Sequence, residues 1–183
     1  MTIDRLLHIY DASEYGIRAT AWARRHADLM SVVTVYPVAV DDGWRGLRKA
    51  LDDLVSDGQT FARALFETHG NAGAIYFDGE RVDAGLLNRQ FVNRGYEKLF
   101  PYLWSRIYFN GCDIADGGGG WDFLDAAGRI FLRLGGGVTF AQTDPGRLLF
   151  PWSTLTGHVI HFAADTCYSS FGPGGRLISH STK

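Results

Sequence analysis

The chain has 183 residues, of which 46% are hydrophobic and 21% charged, and its formal net charge is −2. A chain of this size and composition can fold as one globular domain, residues 1–183, and bury its core without metals or disulfides. The charge offers no positive field to a phosphate backbone, and no apolar stretch approaches the roughly 18 residues of a membrane span, so neither nucleic acid nor membrane is an expected partner.

The first third of the chain alternates short apolar runs with helical patterns. β-Branched and apolar runs predict strands over residues 6–10, 31–40 and 61–68. Pro37 marks the end of the second strand or an edge position, because proline cannot donate to a central ladder. Helices are predicted over residues 15–27 and 44–55. The second of these has its apolar residues at helical spacing on one face, namely Leu47, Ala50, Leu51, Leu54 and Val55.

The rest of the chain continues this alternation. After a loop at residues 69–71, strands are predicted over residues 74–77, 106–110, 138–141, 158–164 and 176–179, with turns at 78–79 and 172–175. A mixed helical region covers 84–103, and a helix over 121–134 has an apolar face formed by Phe123, Leu124, Ala127, Phe131 and Leu134. The four glycines 117–120 before this helix are interpreted as a flexible connector, and the tryptophans and phenylalanines as core.

Strands that alternate with helices of ten to fifteen residues predict an α/β fold, a three-layer sandwich with a mainly parallel sheet. In such sheets the functional crevice lies outside the carboxyl ends of the strands. His69 follows the third predicted strand and Cys112 follows the next long one. Both residues are therefore expected at the crevice.

Cysteine and histidine at one crevice predict nucleophilic chemistry. A thiolate attacks a carbonyl carbon when an imidazole manages the protons and backbone N–H groups receive the oxyanion. Cys112 is the candidate nucleophile and His69 the candidate proton donor. The neighbouring Gly70 and Gly111 allow a substrate backbone to approach closely, and the N–H groups of Gly70 and Cys112 are the candidate oxyanion donors.

The two segments that carry these residues resemble a known family. The run ALFETHGNAG, followed about forty residues later by RIYFNGCDIADG, is similar to the caspase, gingipain and legumain clan of cysteine peptidases. It is closer to the bacterial caspase-like domain of unknown function found in large surface proteins, with His-Gly-x-x-Gly at His69, Gly-Cys-x-x-Ala at Cys112 and a helix beginning near Trp121. The resemblance covers roughly residues 47–143. It implies a caspase-like, flavodoxin-like wound topology and a His/Cys dyad that cleaves a peptide or protein substrate after a residue selected by one pocket, without a cofactor.

Four aspartates at or near predicted strand ends are candidates for that pocket, since an acidic side chain there can select a basic substrate residue: Asp11, Asp113, Asp144 and Asp165. A solvated loop role is the alternative for each of them. No metal site is expected, because the spacing of His158 and His161 on a strand directs their side chains to opposite faces.

The start of the chain and its cysteine content bear on the expected cellular location. The start of the chain lacks the apolar core of a secretory signal, and two cysteines allow at most one disulfide, so a cytoplasmic location is expected. One rival function is a catalytically inactive caspase-like binding or scaffold module. The other is a flavodoxin-like small-molecule binder, which the lack of a phosphate-binding motif disfavours.

Overall fold

The computed structural model describes residues 5–27, 34–143 and 166–182. Within these ranges the strands are β1 (Arg5–Asp11), β2 (Thr34–Val40), β3 (Arg63–Glu67), β4 (His69–Asn71), β5 (Ala74–Phe77), β6 (Glu80–Asp83), β7 (Ser105–Asn110), β8 (Gly137–Gln142), β9 (Thr166–Gly172) and β10 (Arg176–Thr182). The helices are α1 (Tyr15–Ala27), α2 (Gly43–Ser56), α3 (Ala84–Gln90) and α4 (Gly117–Phe131), and a 3-10 helix spans Tyr96–Leu99.

Seven strands form the central sheet in the order β10-β9-β8-β7-β3-β1-β2. The five strands from β8 to β2 are parallel, while β9 and β10 are antiparallel to their neighbours. The predicted α/β fold with a mainly parallel sheet is therefore confirmed. Pro37 lies in β2 at the edge of the sheet, where the missing N–H breaks no central ladder. The short strands β4, β5 and β6 form a separate antiparallel sheet.

Alternating side chains of the parallel strands divide the core between the two faces of the sheet. Leu7, Phe66 and Phe109 join the large apolar cluster that α2, α3 and α4 complete, and each buried leucine or phenylalanine contributes about 1.5–3 kcal/mol. The neighbouring residues Leu65 and Tyr108 belong to a smaller cluster on the other face. The crossovers through α1 and α2 run in opposite directions along the sheet, and crossovers of the usual right-handed form place such helices on opposite faces.

Two segments differ from the sequence-based expectation. Residues 69–71 form β4 and not a loop, since they pair with β5. The four glycines 117–120 form the first turn of α4 and are not a flexible connector. Their backbone packs closely on other segments: a Cβ on Gly73 would lie 2.6 Å from the Gly119 carbonyl oxygen, and a Cβ on Gly120 would overlap the backbone of Ala115. Close backbone contact explains the glycine at position 120, whereas a Cβ on Gly118 would meet nothing within 4 Å.

Three apolar side chains interpreted as core are exposed instead. Trp22 on α1 and Trp104 before β7 are largely exposed, so the assignment of all tryptophans to the core is wrong. The predicted helix face also ends too late, because α4 stops at Phe131 and leaves Leu134 beyond it, half exposed. A glycine run, residues 135–137, follows Leu134 and passes against the backbone of residues 101–105, which ends the apolar packing there.

The carboxyl-terminal strands agree only in part with the prediction. The strand predicted at 176–179 is found as β10, preceded by a turn at residues 173–175 in which Gly174 and Gly175 have positive φ. The strand predicted at 158–164 lies outside the described residues. β9 was not predicted, since its sequence TCYSSFG alternates small polar residues that carry little apolar signal. It lies between β8 and β10 and packs on α4, where the Ser169 hydroxyl donates to Asp125 at 2.9 Å.

Candidate active site

The strands before His69 and Cys112 are neighbours in the sheet. β3 and β7 pair in parallel with Glu67 opposite Asn110, and the Thr68 N–H continues the ladder by donating to the Asn110 carbonyl oxygen at 3.2 Å. His69 and Cys112 each lie two residues beyond this last pair, at the same edge of the central sheet.

Two glycines allow close backbone contact between β4 and the loop that follows β7. A Cβ on Gly70 would lie 2.6 Å from the Cys112 carbonyl oxygen and would overlap the side chain of Ile114. A Cβ on Gly111 would lie 2.9 Å from both the Gly70 nitrogen and the Thr68 carbonyl oxygen. Real Cβ atoms do not approach backbone atoms so closely without a shift. Both positions therefore require glycine for a packing reason, in addition to the substrate access expected from the sequence.

Backbone hydrogen bonds fix the loop that follows Cys112. The Ile114 carbonyl accepts from the Gly73 N–H at 2.9 Å, and the Ala115 N–H donates to the Gln142 carbonyl at 2.8 Å. These bonds tie the loop to the turn between β4 and β5 on one side and to the end of β8 on the other. Asp113 has a φ of +52°, a left-handed conformation that aspartate tolerates better than most residues.

His69 and Cys112 line one cavity of about 390 Å³ at the carboxyl ends of β3, β7 and β8. His69 is exposed and Cys112 half-buried, so both are accessible from solvent. The cavity volume is typical of sites that bind small ligands. Its walls are formed by Glu14, Gly16, Ile17, Glu67, Thr68, His69, Asn110, Gly111, Cys112 and Gln142.

The cavity lies where the strand order reverses. β1 lies between β2 and β3 in the sheet, and the chain leaves β1 in one direction through α1 and returns past it in the other through α2. Ligands bind at such switch points in open α/β sheets, outside the carboxyl ends of the strands. The beginning of α1 supplies Glu14, Gly16 and Ile17 as one wall. The structure thus has a cavity at the position expected for the functional crevice.

Three polar residues that the sequence-based analysis did not single out form the inner part of the cavity. Glu67, Asn110 and Gln142 are the last residues of β3, β7 and β8, and each is more than nine-tenths buried. Buried polar side chains at the wall of a cavity offer hydrogen-bonding groups to a ligand, so these three indicate a binding surface. The sequence did contain a signal, because each of these apolar strands ends with one polar residue: ALFE, YFN and FAQ.

Glu67 is also paired with a histidine inside the sheet. Its Oε2 lies 2.8 Å from Nε2 of His8, and both side chains are buried. A buried carboxylate requires such a partner, because desolvation strongly disfavours an isolated charge. The hydrogen bond orients Glu67 at the cavity wall. Among the described residues that line the cavity there are two carboxylates, Glu14 and Glu67, and neither lysine nor arginine.

Of the four candidate pocket aspartates, Asp11 is buried and bonded within the protein. Its Oδ1 accepts hydrogen bonds from the N–H and the hydroxyl of Ser13 at 3.0 and 2.7 Å. Its Oδ2 accepts from the Asp78 N–H at 3.2 Å. Asp11 therefore connects the end of β1 to the turn between β5 and β6, and it is not among the residues that line the cavity.

The other three aspartates have different outcomes. Asp113 follows Cys112 directly and is half-buried, but the cavity wall does not include it. Asp144 and Asp165 lie outside the described residues, as do His158 and His161. Within the described ranges, no group of three or more His, Cys, Asp or Glu residues is arranged to hold a metal ion.

The sequence matches no model of a known protein family, and a search of the curated proteins finds no match. None of the helices in the described ranges has the length and apolar character needed to cross a membrane. Function is therefore inferred from the geometry of the cavity and from the residues that line it.

Proposed function

We propose that this chain is a cysteine peptidase that hydrolyses a peptide bond through a His69/Cys112 dyad. The observation that carries the proposal is that both residues line one cavity at the carboxyl ends of two adjacent parallel strands. A nucleophile and a proton-transfer group at the same crevice, beside closely packed backbone amides, are the components that acyl transfer requires.

The order of the strands supports a caspase-like form of the fold. Numbered among themselves, the parallel strands β1, β2, β3, β7 and β8 have the spatial order 2-1-3-4-5, which is the flavodoxin-like wound order. The antiparallel strand β9 follows at the far side. A topology of this kind is the one that the resemblance to the caspase, gingipain and legumain clan implies.

In the proposed reaction the Cys112 thiolate attacks the carbonyl carbon of the scissile bond, and a C–S bond forms. The oxyanion accepts hydrogen bonds from the N–H groups of Gly70 and Cys112. Collapse of the tetrahedral intermediate breaks the C–N bond, and the leaving amine takes a proton from His69. Water, deprotonated by His69, then hydrolyses the thioester and restores the thiol.

The position of Gly70 supports its part in this scheme. Its backbone nitrogen lies beside Gly111, 2.9 Å from the place where a Cβ of that residue would be. The amide nitrogen of Cys112 belongs to the peptide that joins Gly111 to Cys112. The N–H groups of Gly70 and Cys112 are therefore the candidate donors, since an oxyanion hole needs two.

The experiment compares the alkylation rates of the two cysteines at neutral pH by peptide mass mapping. We expect Cys112 to react faster than Cys167, which is buried in β9, and the rate at Cys112 to fall about tenfold in His69→Gln, since a neighbouring imidazole promotes the thiolate. His180→Gln is the matched control, because His180 is a partly exposed histidine on β10.

A second measurement tests the reaction itself. Peptides with an electrophilic carbonyl should label Cys112 covalently in the wild-type chain and fail to label Cys112→Ala. If Cys112 instead reacts at the rate of a free thiol and His69→Gln leaves that rate unchanged, the dyad is refuted and the inactive binding module replaces it.

A further inference from the structure

The inner cavity residues form a continuous row across three strands. Glu67 faces Asn110 in the register of β3 with β7, and Phe109 faces Ala141 in the register of β7 with β8. The next pair along is Asn110 with Gln142. The side chains of Glu67, Asn110 and Gln142 therefore lie side by side on one face of the sheet, and their exposed fractions are only 3%, 8% and 6%.

The two amides of this row lack protein partners for their side chains. Their backbone carbonyls are used, since Asn110 accepts from Thr68 and Gln142 accepts from Ala115. Among the residues that the structure describes, however, neither side-chain amide makes a hydrogen bond. Buried amides are nearly always hydrogen-bonded in folded proteins. Two unpartnered amides at a cavity wall are thus explained by a ligand that supplies the missing bonds.

Charge and hydrogen-bonding capacity decide which ligand group fits this row. Glu67 supplies a carboxylate at the inner wall, held by His8, and Glu14 supplies another at the exposed rim. An acidic side chain would be repelled by both, and an apolar one would leave the row without partners. A guanidinium carries five N–H donors and no acceptor, so it complements a carboxylate beside two amide oxygens.

We propose that Glu67, Asn110 and Gln142 form a specificity pocket for a basic side chain, arginine above all, on the substrate residue whose carbonyl carbon Cys112 attacks. The assignment rests on the proposed peptidase function and adds its substrate class. It assigns the acidic role to Glu67 and not to Asp11, because Glu67 reaches the cavity and Asp11 does not. Glu14 at the rim attracts the same cationic side chain on entry.

The first test uses four peptidyl acyloxymethyl ketones that differ only in the residue attached to the electrophile: Arg, Lys, Asp or Leu. Covalent labelling of Cys112 is followed by intact mass. We expect the Arg probe to react about tenfold or more faster than the Leu probe and the Asp probe to be slowest. Equal rates for Arg, Asp and Leu overturn the pocket.

Two variants test whether this row of side chains causes the preference for the Arg probe. Glu67→Gln should lower the Arg-to-Leu rate ratio about tenfold, whereas Asp57→Asn, which removes an exposed charge at the end of α2, should leave it unchanged. If Glu67→Gln does not fold, Gln142→Glu is tested instead, because a second carboxylate in the row should raise the Arg-to-Leu rate ratio. An unchanged ratio in every folded variant of the row contradicts the assignment.

A binding measurement tests the proposed pocket independently of any reaction at Cys112. Benzamidine is titrated into Cys112→Ala and into its double variant with Glu67→Gln or Gln142→Glu, and binding is followed by chemical-shift changes. Binding that Glu67→Gln weakens or Gln142→Glu strengthens, with no labelling of the wild-type chain by any probe, supports the pocket and refutes the peptidase function. Labelling without preference and without benzamidine binding refutes the pocket and leaves the peptidase function standing.

Discussion

Gly70 packs directly on Cys112: a Cβ at position 70 would lie 2.6 Å from the Cys112 carbonyl oxygen. β4 and the loop that carries Cys112 are therefore in direct backbone contact. Any residue larger than glycine at position 70 must push these two segments apart. This contact makes the geometry of the proposed dyad sensitive to a single methyl group.

Gly70→Ala should destabilise the fold by about 2 kcal/mol, because the added methyl group meets backbone and the side chain of Ile114 with no room to move. It should also slow the alkylation of Cys112. The matched control is Gly118→Ala in the first turn of α4, where a Cβ meets nothing within 4 Å; it should be neutral or stabilise by up to about 1 kcal/mol. Urea denaturation measures both, and equal effects of the two changes would argue against the contact.

His8→Leu should destabilise the protein by about 3–5 kcal/mol, because it leaves the buried Glu67 carboxylate without the histidine that bonds it at 2.8 Å. The double variant with Glu67→Leu should regain much of this loss, since it removes both polar groups together. The four denaturation free energies form a double-mutant cycle. A coupling energy near zero would show that the two side chains do not stabilise each other.

Asp11→Ala should cost about 2–3 kcal/mol of stability and leave the preference among peptidyl probes unchanged. The reason is that the Asp11 carboxylate accepts three hydrogen bonds from Ser13 and Asp78 in a buried position. Chemical denaturation and the Arg-to-Leu labelling ratio are measured on the same preparation. A changed ratio with unchanged stability would instead assign Asp11 to substrate recognition.

Acid should remove a stabilising contribution from Asp52 on α2. A hydrogen bond from Arg94 is the main cause that lowers the pKa of Asp52 below its usual 3.8, and a bond from the Tyr96 hydroxyl acts in the same direction. Because the folded-state pKa is depressed, the contribution is complete above the unfolded pKa, near 3.8, and is lost as the pH falls through the folded value.

Asp52→Asn should therefore lower stability by about 1 kcal/mol at pH 7 and have a smaller effect at pH 3, where the unfolded carboxyl is largely protonated. Asp53→Asn is the matched control. Asp53 is exposed and pairs with Lys49 on the helix surface, so its removal should cost about 0.5 kcal/mol or less. Urea titrations at pH 7 and at pH 3 measure the difference. A cost for Asp52→Asn that is the same at both pH values would rule out the linkage.

The hydrophobic pattern was sufficient to predict the elements that build the parallel sheet. The apolar face of α2 and the apolar runs of β1, β3 and β7 were predicted close to their observed bounds, and Cys112 was correctly placed after β7. These features are local, since the spacing of apolar residues within each segment indicates which side faces the core. β9 has no such pattern, because its small polar residues are buried by β8, β10 and α4, which are distant in the sequence or follow it.

Sequence by itself determined the α/β class and the position of His69 and Cys112 at the ends of apolar strands. Only the tertiary structure decided which other side chains share their cavity. Asp11 and Glu67 are both acidic residues at strand ends, yet one bonds a residue 67 positions away and the other lines the cavity. Strand order and register make that difference, and they depend on long-range pairing that the pattern of a single segment does not encode.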